Sequence, residues 1–148
     1  MLDDRLAGIL SGSIVRVRRI NYVRPGGVRD VGEGPVEVAL DNGAVFRLES
    51  GDDGESLRFA VGEWVDPFAE PLSPENREFV ASSGKWVAFD VSSDRDFDRL
   101  IGARLSDLNL LIASGKIVGV ELVFGSATMR AEVRADELYV DFRDDHGR

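Results

Sequence analysis

The chain has no cysteine and one histidine, His146, in the terminal stretch "RDDHGR". The missing thiols exclude thiolate chemistry and Cys-ligated zinc. A lone histidine near a chain end, where backbones fray, is badly placed as a general base. Ser–His and Cys–His nucleophile systems and His-based metal sites are therefore excluded as well. No catalytic residue, metal ligand or cofactor is assigned. Long apolar runs are also lacking: the start, "MLDDRLAGILSGS", puts two acids close behind Met1 and carries only a short apolar stretch. That fits neither a signal peptide nor a membrane span, so a cytoplasmic protein without a membrane partner is expected.

What remains is ordinary globular material. Of 148 residues, 43% are hydrophobic and 30% charged, and a chain this long buries roughly 70% of its unfolded surface without help from metals or disulfides. One domain over residues 1–148 is expected. Lysine is scarce, two against sixteen arginines; with the many Gly, Ala and Val this suggests a GC-rich bacterial genome. The net charge of −9 is unevenly spread. Residues 1–29 hold six Arg and two Asp, or +4, whereas residues 30–75 hold twelve acids and two Arg, or −10. So acidic a total argues against nucleic acid as a partner, because that binding depends on neutralising phosphates.

The stretch "VEVALDNGAVFRLES" from Val36 has a near double in "VELVFGSATMRAEVR" from Val120. In the first, Val36, Val38 and Leu40 alternate with Glu37 and Ala39, the period of a half-buried strand. "DNG" then signals a hairpin. Ala44, Phe46 and Leu48 share one face of the return strand, "GDDGE" turns the chain, and "SLRFAV" is the next strand. In the second copy Val118, Val120, Leu122 and Phe124 share a face, and Gly125–Ser126 make a two-residue turn. Met129, Ala131 and Val133 point inward, with Thr128, Arg130, Glu132 and Arg134 outward. "RADE" turns the chain into a last strand through Leu138, Val140 and Phe142. Upstream, "LSGSIVRVRRI" matches "LIGARLSDLNLL", with Gly12 opposite Gly102. The expected fold is α+β and predominantly antiparallel: two tandem four-stranded meanders, about 5–62 and 97–142, with two or three short helices and a connector over 63–96. One meander has a single apolar face and cannot bury it alone; two copies close face to face or extend one sheet.

In the connector, Ser73–Pro74–Glu75 reads as a helix start that ends near "SSG", and "KWVAFDV" as a strand. A further short helix or turn at "SDRDFDRLIG" is expected to be capped by Ser93 or Asp94, and "DDRLAGIL" offers another. Asp94, Asp96 and Asp98 imitate the start of a calcium loop, but Arg99 and Leu105 stand where Gly and Glu are needed.

Candidate binding residues come from three features. Arg16 and Arg18 share a face of "RVRRINYVR", where Arg19 breaks the alternation and suggests a bulge. They could meet phosphate or an acidic protein, or neutralise the chain's own acidic segment across adjacent strands. Asp52, Asp53 and Glu55 lie in "GDDGE", whose plain reading is a turn. Trp64 and Trp86 flank the connector, as binding anchors or as core or lid residues. The glycine-rich "RPGGVRDVGEGP" lacks the Lys-Ser/Thr ending of a phosphate loop and reads as a long exposed hairpin loop.

The pattern "GVELVFGSATMRAEVRADELYV", with its "LIG" lead-in, resembles small bacterial proteins, some of them similar to immunity proteins of toxin systems. The resemblance covers about the last 50 residues and, less well, the first half. It is a strand pattern, so no family site is carried over. It implies a small non-enzymatic cytoplasmic protein that binds another protein, such as a toxin; a homodimer is compatible. The alternative is a small hydrolase or ligand-binding protein using carboxylates and Arg in a cleft between the repeats.

Overall fold

The computed structural model describes residues 4–125 and 127–144. A short helix α1 (Asp4–Ile9) leads into β1 (Ile14–Val23), β2 (Val36–Leu40), β3 (Val45–Ser50) and β4 (Leu57–Val61). Helix α2 (Pro74–Ser83), β5 (Lys85–Asp90) and a 3₁₀ turn (Asp98–Leu100) follow. The chain ends with β6 (Leu105–Ala113), β7 (Lys116–Phe124), β8 (Ala127–Arg134) and β9 (Glu137–Asp144). Two antiparallel sheets result, ordered β4-β3-β2-β1-β5 and β6-β7-β8-β9. The protein is thus α+β and mostly antiparallel, with two meanders of the same strand order. The first gains β5, the expected "KWVAFDV" strand, beside β1.

The turns follow local chemistry. Ala135 and Asp136 both have positive φ, 48° and 74°, as a two-residue hairpin turn requires. Phe124 pairs with Ala127 across the β7–β8 connection; Ser126 and His146 lie outside the described residues. Ser73 caps α2, its Oγ accepting from the Asn76 amide at 3.1 Å, and Gly84 ends it at φ 79°. The cap expected from Ser93 or Asp94 does not form. The 3₁₀ turn starts after Phe97 without a side-chain cap, because residues 92–97 are spent in turns.

One core joins the sheets. Val17, Val36, Val38, Phe46 and Leu48 of the first pack with Val120, Leu122, Met129, Ala131 and Leu138 of the second. The sheets therefore stack face to face, the first of the two arrangements open to their apolar faces. Where the meanders begin, Ser13 bridges Arg104, and the Ile14 amide donates to Ala103 O at 2.9 Å. At the other end the Asp136 amide donates to Gly54 O at 3.0 Å, tying the β8–β9 turn to the β3–β4 turn.

Three strand readings change. β2 is buried on both faces rather than one, with Glu37 1% exposed. A strap formed by residues 62–84 explains this: Gly62 O accepts from Arg47 and the Trp64 amide donates to Glu37. The β1 bulge lies between Ile14 and Arg16, not at Arg19. Arg19 follows the regular alternation inward, where the carbonyls of Gly34 (3.2 Å) and Leu138 (3.1 Å) accept from its guanidinium. Thr128, expected outward, is buried as well.

Candidate functional site

On the strap side of the first sheet, strand register builds a row of alternating charge. Arg18 stands opposite Asp90 on β5 and Glu37 on β2; Glu37 stands opposite Arg47, and Glu49 opposite Arg58. Arg18 grips Glu37 in two-point fashion at 2.6 and 2.8 Å, with Arg16 at 3.4 Å. Burial alone would raise the Glu37 carboxyl; the Arg18 hydrogen bonds, the Trp64 amide and the two guanidinium charges outweigh it and hold it below the usual range. Glu49 behaves alike: burial opposes ionisation, and Arg47 (2.9 Å) and Arg58 (2.6 Å) prevail. Arg16 and Arg18 thus neutralise acids of their own sheet.

The acidic turn is also engaged locally. Asp53 accepts from the Ser56 and Glu55 amides at 2.8 and 2.9 Å and from Ser56 Oγ at 2.7 Å. These bonds, the Ser56 amide foremost, hold its carboxyl well below the ordinary value. Lys116, at the start of β7, reaches Asp53 (3.2 Å) and Glu55 (2.8 Å) from the other sheet. Asp52 is 99% exposed, 3.5 Å from Arg58.

Trp64 and Trp86, 22 residues apart in sequence, are brought together. Both line a cleft of about 280 Å³ with Phe68 and Phe79, whose rings stack at 5.5 Å. Both also line a cleft of about 290 Å³ with Ile20, Glu49, Arg58, Asp136 and Glu137. Trp86 continues into a third, about 260 Å³, with Tyr22, Asp30, Glu33 and Glu137. Tyr22 meets the Trp86 ring edge-on at 5.6 Å, and its hydroxyl donates to Ser83 O, which fixes it against α2.

Sequence reasoning missed Asp30, Glu33, Asp136 and Glu137 as a group. The β1–β2 loop folds back on the second sheet: Tyr139 donates to Glu33 at 2.9 Å, and the Gly34 amide to Leu138 O at 3.1 Å. The loop is exposed over residues 24–28 and again at Val31 and Gly32. Asp30 is paired with Arg24 at 3.1 Å. Glu137 has no hydrogen-bond or ion-pair partner among the described residues. Burial, then Glu33, Asp136 and Asp30, raises its carboxyl above the usual range. The one sequence signal was the excess of acids over residues 30–75, which does not include Glu137.

Among the described residues no group of three or more His, Cys, Asp or Glu is arranged to hold a metal ion, and no helix is long and apolar enough to cross a membrane. Comparison of the chain with protein-family models, curated proteins and solved structures finds no match in any of the three.

Proposed function

We propose that the protein is a binding module for another protein, and that the tryptophan-lined acidic clefts receive basic side chains of that partner. The carrying observation is Glu137: a half-buried carboxyl without a cation among the described residues, surrounded by Asp30, Glu33 and Asp136, at the junction of two clefts that share Trp86. Like charges held together cost stability in the free protein, and an incoming guanidinium or ammonium relieves that cost. The indole face adds cation–π attraction, and the acidic surround speeds association in a salt-sensitive way. Neutralising a basic toxin in the cytoplasm is the specific form of this reading that the strand-pattern resemblance favours. The hydrolase alternative has a carboxyl pair in the same cleft, Glu137 raised and Glu49 lowered. Both Glu49 oxygens, however, are taken by Arg47 and Arg58, so Glu49 is not free to act as a base. That favours binding.

The test uses an arginine-rich peptide as probe, with tryptophan fluorescence as readout. The emission change should saturate at low salt and weaken about tenfold or more at 0.5 M salt. Glu137→Gln should weaken binding while raising the melting temperature, because it removes the repulsion. Affinity for wild type should rise with pH across the Glu137 titration, since the peptide selects the ionised form. A response independent of Glu137 and of Trp86→Leu would rule the clefts out.

A further inference from the structure

We propose that the partner segment received by the acidic clefts is an extended proline-rich stretch with an arginine beside it, its prolines lying in the aromatic groove between the strap and β5. The inference rests on the acidic clefts as a site for basic side chains and adds what stands next to the cation. Both tryptophans of the chain and one of its two tyrosines meet in this groove: Tyr22, Trp64 and Trp86 line it with Phe68 and Phe79. Trp86 also lines both acidic clefts. One segment crossing Trp86 therefore places a cation on the Glu137 side and apolar residues on the Phe79 side. Phe79 is 51% exposed, and the space is about 280 Å³. The charged residue that lines it, Lys85, is engaged by Asp66 and by the Phe68 carbonyl. The groove is thus an aromatic trough without free charge that opens onto a negative region.

Hydrogen-bonding capacity selects the backbone that fits. Neither indole N–H has a partner among the described residues, and neither is a buried orphan, so both are free to donate. Two carbonyls on the border, those of Phe68 and Ser83, already accept from Lys85 and Tyr22. A ligand that brings acceptors and few donors therefore matches. A polyproline II segment has this character: its carbonyls make no internal hydrogen bonds, and proline has no N–H to leave unsatisfied. A helix bonds its carbonyls within itself and offers the indoles nothing. A β-strand brings as many donors as acceptors. The polyproline conformation is also largely set before binding, so ordering it costs little entropy, and it docks in aromatic-lined grooves. The arginine beside it meets Glu137, and Asp30 and Glu33 add to the attraction.

The test is calorimetric titration of the full chain with three peptides. The first is one arginine followed by a run of prolines. The second has glycine and serine in place of the prolines, and the third has glutamine in place of the arginine. The first should bind about tenfold tighter than either of the others, because one chain links the two contacts. Phe79→Ala and Phe68→Leu should each remove the advantage of the prolines and leave the glycine–serine peptide unchanged; two variants guard against one failing to fold. Glu137→Gln should do the reverse, weakening both arginine peptides and sparing the third. Equal binding of the first two peptides would overturn the inference while leaving the acidic clefts as a cation site. Tighter binding of an amphipathic helical peptide of the same charge, lost in Phe79→Ala, would assign the groove to a helix and overturn it as well. Proline-dependent binding indifferent to Glu137 and to the arginine would instead sink the cation reading and the arginine with it, and support the proline groove alone. No binding of any peptide would overturn both.

Discussion

Glu37 shows how one residue type changes meaning with its surroundings. In the sequence it is the polar half of an alternation; in the fold it is 1% exposed and gathers Arg18, Arg16 and the Trp64 amide. Ionised carboxylates survive burial only when paired and hydrogen-bonded, and here three donors supply that. Removing one partner strands the other. Glu37→Ala should destabilise the protein by about 3 kcal/mol in urea unfolding. A double variant that also carries Arg18→Met should recover part of the loss, because no unpaired charge is then left. Equal losses in the single and double variants would mean that packing, not charge, dominates at this position.

Helix α2 is an element without a core of its own: none of its residues is buried. It is held by Ser73 at its start, by the Phe68–Phe79 stack and by Tyr22 on the Ser83 carbonyl. Such an element opens locally well below the global unfolding free energy. Ser73→Ala should remove about 1 kcal/mol of local stability. Amide exchange over Phe79–Ser83 should accelerate about fivefold, with exchange in β2 and β8 unchanged. Faster exchange throughout the molecule would instead make the strap part of the cooperative core. The strap forms one side of the clefts around Trp64 and Trp86, so its local opening also gives a partner a route to them.

At the scale of the whole molecule, most acids with shifted carboxyls point one way. Glu37, Glu49, Asp53 and Asp90 all lie below their ordinary values in the folded state. An acid lowered on folding contributes stability above its unfolded value, about 4, and loses that contribution as pH falls through the folded value. The melting temperature should hold between pH 7 and pH 5 and drop steeply below about pH 4. Glu137 carries the opposite sign: its folded value is raised, so protonation as pH falls stabilises the fold. Glu137→Gln should therefore narrow the gap between wild type and variant as pH decreases. A melting temperature that rose steadily into acid would mean that repulsion across the −9 chain outweighs its ion pairs.

Period-two alternation, the turn dipeptides and the Ser73–Pro74 cap act through neighbouring residues, so the strands, their order within each meander and α2 were legible in the chain alone. The chance that Arg16 and Arg18 serve their own sheet was legible too, because charge complementarity between residues 1–29 and 30–75 is a property of composition. The sequence left open whether two apolar faces stack or extend one sheet, since either arrangement buries them. Long-range packing also decided which acids go unpaired. Glu33 and Glu137 are 104 residues apart, and only the return of the β1–β2 loop onto β9 brings them to one cleft.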